Sequence, residues 1–361
     1  MGRSYKDVGV LSGDEIDALG PALKVLRRTF DYPSRGKPVT GFGLYAAVLN
    51  LGNNLGLAIS TDGVGTKLLV AEELHKFDTV GIDCVAMNAN DIICVGAEPI
   101  AMVDYIAVAS AEGDQLLQIA EGLRRGAELA GISIPGGETA QIPELLHHSP
   151  ANEAFDLAGT CVGLVPMDRI ISGKGIQAGD ALIGFGSSGI HSNGLTLARH
   201  VLIRDGGWTM DSYIEDFGRT LGEELIEPTR MYVKLALDLL ATTGVRGMAH
   251  ITGDGLLNLR RFEAEMGFDI DALPNANAVF EVIRRTGNVS LAEMYRVFNM
   301  GIGFCAVVPE GEVEAALGAA TRAGFEAWRI GTATPSAERR IRLLQHDLES
   351  RDKGFQNPAR K

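Results

Sequence analysis

The chain has 361 residues, 46% of them hydrophobic and 22% charged, with a formal net charge of −13. That length exceeds one ordinary hydrophobic core and predicts two domains of a globular protein. The acidic balance excludes a general binder of nucleic acid or anionic membrane, since both need a basic field; a small anionic substrate stays open, because one local cluster of donors binds it against the global sign.

The N-terminal stretch "MGRSYKDVGVLSGDE" has no apolar signal core, and no uncharged apolar run approaches the roughly 20 residues of a membrane span. The four cysteines, Cys84, Cys94, Cys161 and Cys305, show no paired short spacing. Zinc ribbons and redox pairs are therefore not expected, and reduced thiols in a soluble cytoplasmic protein are. "LGLAIS" (55–60), "IAMVDYIAV" (100–108), "ISI" (132–134) and "LAGTCVGLV" (157–165) read as strands. Between them "TVGIDCVAMNANDIICVG" and "GDQLLQIAEGLRRGAELAG" carry apolar residues at helical spacing, the second ending at Gly131 as a C-terminal cap. The order strand–helix–strand–helix–strand–strand predicts an α/β layer of ferredoxin-like type. Polar "PMDRIISGKGIQAGD" then marks a boundary, giving an N-terminal domain over 1–170 and a C-terminal α/β domain over 171–345. In the second half "ALIGFG" and "GIGFCAVVP" read as strands, and "LTLARHVL", "PTRMYVKLALDLLATT" and "DGLLNLRRF" as helices. The polar tail, 346–361, is expected to be mobile. The 45 glycines are nearly twice the usual share of about 7% and fall in clusters between apolar runs, where they mark tight loops and close backbone approaches.

Four carboxylates of the first half call for partners. Asp62 follows a strand in "STDGVGTK", and Asp91 lies in an apolar helix on the side of Asn88. Asp104 interrupts an apolar strand, and Glu138 sits in "PGGETA". An unpaired buried carboxylate is costly. A cap or salt bridge accounts for any one of them; magnesium with a nucleoside triphosphate accounts for all four, because hard oxygen ligands suit Mg²⁺ and the ion bridges phosphate oxygens. On that reading Lys67 supplies a point charge to phosphate, and Gly63 and Gly65 let the backbone approach. The loop lacks the frame of a P-loop.

In "GFGSSGIHSNG", Gly184, Gly186 and Gly189 fit the dinucleotide fingerprint, but the loop runs on through "IHSNG" and the nearest acid, Asp205, lies in polar "RDGGW". What remains is a glycine-rich loop before a helix, suited to an anion. Ser192 and Asn193 are placed either to cap that helix or to bind the anion. His191 is open to three roles: a surface histidine, a phosphate donor or an acid–base group. In "AHITGDGLLNL", Asp254 is either an N-cap or a metal ligand from the second domain.

Together, "YKDVGV", "TDGVGTK", "DTVGIDCVAMNANDI", "GAEP", "GGETA", "GSSGIHSNG", "PTRMYV", "AHITG" and "EMYRVFNMGIG" resemble, in order, the phosphoribosylformylglycinamidine cyclo-ligases, or aminoimidazole ribonucleotide synthetases. The resemblance implies a homodimer whose N-terminal sheets pair into a shared barrel, with ATP near the subunit interface. It implies a small phosphorylated substrate, with no nucleic acid or membrane as partner. The reaction implied is ATP-dependent closure of formylglycinamidine ribonucleotide to aminoimidazole ribonucleotide, with release of ADP and phosphate. It assigns metal and triphosphate contact to Asp62, Lys67, Asp91 and Glu138, with Thr66 and Asn90 beside them and Asp104 in a matching strand. His191, Ser192 and Asn193 fall in its phosphate or substrate loop, with Asp91 and His191 the candidate catalytic residues. Arg230 and Asn299 lie in matching motifs without an assigned role. The chain departs from the pattern in two places. Val39 and Thr40 precede Gly41 where relatives carry a run of glycines, and "ITGDG" stands where most read "TGGG". Thiamine monophosphate kinases bind metal through an aspartate in a similar stretch, so a kinase of that kind is the enzymatic alternative. A nucleotide-binding paralogue without turnover is the other.

Overall fold

The computed structural model describes residues 2–11, 19–111, 113–146, 153–351 and 354–358. In the first half β1 (Ala47–Gly52), β2 (Leu55–Gly63), β3 (Glu98–Val108), β4 (Ser133–Gln141) and β5 (Phe155–Pro166) form a sheet in the order β1-β2-β5-β3-β4. All neighbours are antiparallel except β3 and β4. Strand β1 was not foreseen from periodicity. Its signal is the turn that follows, where Asn53 and Asn54 hold φ of 52° and 60°, the left-handed pair a two-residue hairpin needs. Strand β4 runs well past "ISI" through "PGGETAQ", so Glu138 lies within a strand.

The expected layer of helices is present on one face of this sheet: α3 (Val80–Cys94) and α4 (Gln115–Ala130), which follow α1 (Leu19–Arg27) and α2 (Leu68–Leu74) in the chain. Gly131 caps α4 in the left-handed conformation. The two backbones all but touch. A Cβ on Gly81 would lie 2.2 Å from the backbone nitrogen of Leu123, and one on Gly122 would lie 2.6 Å from the carbonyl oxygen of Asp78. The opposite face of the sheet is open, leaving Leu55, Ile100, Val103 and Tyr105 exposed.

The second half adds a two-stranded ribbon, β7 (Tyr213–Ile214) and β8 (Arg219–Thr220), and an eight-stranded sheet. The latter is built from β6 (Ala181–Gly186), β9 (Gly247–His250), β10 (Met266–Ile270), β11 (Ile302–Val308), β12 (Ala327–Pro335), β13 (Ile341–Leu343), β14 (Leu348–Arg351) and β15 (Gly354–Gln356). The order is β15-β14-β13-β10-β12-β6-β11-β9. The polar C-terminal stretch is thus not a loose tail: β14 and β15 extend the sheet and Phe355 is buried. "DGLLNLRRF" forms a 3-10 helix, Gly255–Arg261, and "LTLARHVL" begins as an α-helix, Leu195–Arg199, before widening into a π-turn over His200–Asp205.

Helix α3 joins the halves. It packs on its own sheet and, on its other side, against β9. Every residue of α3 except Asp91 is buried, as expected of a helix apolar all round. Gly81→Ala is expected to force α3 and α4 apart and to lower stability by about 1–3 kcal/mol, the cost of overpacking, read by urea denaturation against wild type.

Candidate active site

Alternation along β2 turns Ser60 and Asp62 toward α3. Asn88 clasps this strand end twice: its Oδ1 accepts from the Asp62 N–H at 2.9 Å, and its Nδ2 donates to the Asp62 carbonyl at 3.1 Å. The Gly63 N–H donates to Asp62 Oδ1 at 2.8 Å. From the second domain, His250 faces Asp91. Asn90 Nδ2 donates to His250 Nε2 at 3.4 Å, so the ring proton sits on Nδ1 and is given to Asp91 Oδ1 at 3.0 Å. Burial, then the nearby Asp91 charge, pushes the Asp62 carboxyl up to about 6, against smaller opposing effects of the Gly63 N–H, His250 and Arg261. A partly buried carboxyl with a second carboxylate near it makes a place for a cation. The Arg261 guanidinium lies 4.8 Å from the centre of the Tyr45 ring, which brings a positive group to the same seam.

The glycine-rich loop follows β6. Its strand pairs antiparallel with both β11 and β12, so the parallel βαβ unit of a dinucleotide fold is absent, and Asp205 is held by Arg3 in a bidentate pair at 2.8 Å. His191 is not on the surface. It is buried at a left-handed φ of 65°, a conformation that persists only when its surroundings hold it. Asn299 supplies the hold, donating to the carbonyls of Gly189 and Ile190 and accepting from Ser187 and the Gly301 N–H. The Ser188 N–H donates to His191 Nε2 at 3.2 Å, which leaves the proton on Nδ1, and that atom is buried without a partner. Burial, reinforced by His250, Lys67 and Arg230, holds the imidazole well below its ordinary range and therefore neutral. Asn193 Oδ1 is likewise buried and unpaired. Both face a tight cavity between the domains, lined by Met87, His191, Asn193, His250, Thr252 and Asn299. Gly303 makes room for the imidazole: a Cβ there would lie 2.5 Å from His191 Cε1.

Other expected residues are spent elsewhere. Lys67 is fully buried, with its ammonium bonded to Asp83. The Asn90 amide holds the Arg230 carbonyl and the Tyr232 N–H. Ser192 bonds Asp83 and Thr229, and Thr66 meets Thr196 across the seam at 2.9 Å. Gly65 holds a left-handed φ of 72° and has open space around it. Asp104 shares a cross-strand row with Asp62 through Gly159, and Gly137 accommodates its carboxylate, because a Cβ there would lie 2.5 Å from Oδ1. Glu138 pairs with Tyr105 and so points to the open face of the sheet, opposite to Asp62 and Asp104. Asp254, in the left-handed region at φ 72°, makes no side-chain cap. Its charge is felt by Tyr5, whose hydroxyl is bonded to Gly194, while Asp62 responds to Asp91, His250 and Arg261. Among the described residues no three metal-ligating side chains gather into a preformed cation site. His250, Arg261 and Asp83 were not singled out from sequence; "AHITG" held the first in plain view, but nothing local to it names Asp91 as its partner.

Family descriptions match both halves: "AIR synthase related protein, N-terminal domain" over residues 43–165 and its C-terminal counterpart over 177–343. A phosphoribosylformylglycinamidine cyclo-ligase of Thermococcus gammatolerans is 47% identical over 92% of this chain and 95% of its own length. The protein of the same name from Pyrococcus horikoshii is 49% identical over 87% and 90%. Among solved structures, AaThiL complexed with AMPPCP and TMP aligns with a TM-score of 0.60 at 12% identity, covering 91% of this chain and 94% of that one. The hydrogenase maturation protein HypE of E. coli aligns with a TM-score of 0.59 at 20% identity, covering 84% and 87%. At these identities the structural likenesses show a shared fold.

The raised Asp62 carboxyl carries a sign. Its folded value of about 6 exceeds the ordinary 3.8, so its ionisation opposes folding increasingly as pH rises from 4 to 6. Asp62→Asn, in protein freed of metal by chelation, is expected to raise the thermal midpoint by a few degrees at pH 7.5 and by nothing at pH 4. Scanning calorimetry at the two pH values checks it.

Proposed function

Because the chain belongs to the phosphoribosylformylglycinamidine cyclo-ligase family, we propose that it closes the imidazole ring of aminoimidazole ribonucleotide, using ATP and releasing ADP and phosphate, in purine biosynthesis. Identity to the cyclo-ligases across both domains carries this reading. The site is in keeping with it. Ring closure takes its nucleophile from the substrate: the formyl amide oxygen accepts the γ-phosphoryl group, the ribosyl-bearing amine attacks that carbon, and phosphate leaves with the oxygen. No activated serine or cysteine is required, and the four cysteines are buried, free and pushed up in pKa by burial.

The protein's part is then to align two substrates and exclude water. Asp62 and Asp91 are the residues that would hold Mg²⁺; an ion bound by one or two carboxylates plus substrate phosphates is the usual arrangement, and the negative charge that Asp91 brings to the Asp62 carboxyl suits it. Bound there, the ion supplies neutralisation of the triphosphate. His191, neutral and with its Nδ1–H unpaired, donates to an oxygen of the substrate as charge develops; it is unsuited to a cationic role. Asn193 holds the substrate beside it, and His250 orients the Asp91 carboxylate.

The kinase alternative rested on Asp254 alone, whereas identity to the cyclo-ligases runs through both domains. We assign the open sheet face, with Val103 and Tyr105 exposed, to a homodimer, with Glu138 on that face reaching nucleotide from the interface side. No helix among the described residues is long and apolar enough to cross a membrane, and a cytoplasmic enzyme is the consistent reading.

Purified protein with Mg²⁺ and ATP is expected to release ADP with formylglycinamidine ribonucleotide and not with thiamine monophosphate; absence of release with the first overturns the assignment. In that assay Asp62→Asn should lower kcat/KM at least about tenfold, the scale of a lost metal contact. Val103→Asp should convert the dimer to monomer in light scattering, by placing charge in an apolar interface.

A further inference from the structure

Lys67 and Asp83 form the one ion pair among the described residues in which both side chains have no solvent exposure. Lys67 Nζ donates to Asp83 Oδ1 at 2.9 Å and also to the carbonyl of Glu227. The same Asp83 oxygen accepts from the Thr229 N–H at 2.8 Å, the Thr229 hydroxyl at 2.6 Å and the Ser192 hydroxyl at 3.2 Å. Lys67 and Asp83 belong to the first domain; Ser192, Glu227 and Thr229 belong to the second. One carboxylate oxygen and one ammonium therefore grip two segments of the other domain. One of these is the glycine-rich loop, and Ser192 lies directly between His191 and Asn193.

We propose that the buried Lys67–Asp83 pair is an interdomain latch, and that both are positioning residues that fix the loop carrying His191 and Asn193 against the acid pair. The inference rests on the site assigned above. Its physical content is the asymmetry of buried ion pairs: deleting one partner strands the other charge, whereas neutralising both at constant shape removes the penalty. Asparagine at 83 keeps an Oδ1 acceptor for Thr229 and Ser192, and methionine at 67 keeps the length of the lysine stem. The neutral pair therefore preserves the grip on the loop without the charges. A phosphate ligand predicts the opposite, because its charge is what the substrate needs.

The test compares Lys67→Met, Asp83→Asn and the double variant in the full chain. Each single change is expected to lower the thermal midpoint by roughly 10 °C, and the double to regain at least half of that loss. In assays below the lowest midpoint, each single should lose kcat by about tenfold while the KM for ATP stays within about threefold, and the double should recover kcat to within about threefold of wild type. A double variant that regains its midpoint but stays inactive, or that has a much raised KM for ATP, overturns the latch and makes Lys67 a phosphate ligand. A midpoint unmoved in Lys67→Met, or no recovery in the double, overturns it equally. Should Lys67→Met fail to fold, comparing Asp83→Asn with the double carries the same test. The thermal comparison needs no substrate, so it reads the latch even if ring closure is not the reaction.

Discussion

Everything in this molecule is arranged around one helix that has no solvent face. Helix α3 is wedged between two sheets with only Asp91 incompletely buried, so each polar side chain on it must find a partner in whichever direction it points. Asp83 points to Lys67 and the segments of Ser192 and Thr229. Asn88 clasps the end of β2, Asn90 takes the Arg230–Tyr232 backbone, and Asp91 meets His250. Three of these groups, Asp83, Asn90 and Asp91, bond to the second domain and so tie the domains together, and the cavity of the site lies along that seam.

The electrostatics of the seam are uneven in a useful way. At one end, Asp62 and Asp91 crowd negative charge into a partly buried space. At the other, His191 is buried deeply enough to stay neutral, with a donor aimed into the cavity. A site that receives a polyanion with its counter-cation at one end and an uncharged amide at the other needs this division. Lys67 lies withdrawn into the protein between these ends, its ammonium bonded to Asp83 and to the Glu227 carbonyl.

Glycine serves geometry at several levels. At Gly81 and Gly122 it lets two helices approach to backbone contact, at Gly303 it leaves room for an imidazole, and at Gly137 it leaves room for the Asp104 carboxylate. The enrichment visible in composition thus records close approaches and, to a similar extent, left-handed turns such as that at Gly65.

Most strands and helices were legible from period and punctuation, as was the family, because apolar spacing and local motifs are properties of contiguous residues. The hairpin strand β1 and the edge strands β14 and β15 escaped because short polar-flanked segments carry little periodic signal, and pairing with a distant strand decides them. The partners that Lys67, Asn90 and Ser192 hold within the protein were not legible, because they lie 16 to 160 positions away. Glu138 looked convergent with Asp62 until strand register turned it to the opposite face. Sequence by itself determined which groups are present and on which element each sits. Only the tertiary structure decided which of them meet, because a buried polar group is assigned its role by the partner that satisfies it, and that partner comes from a distant part of the chain.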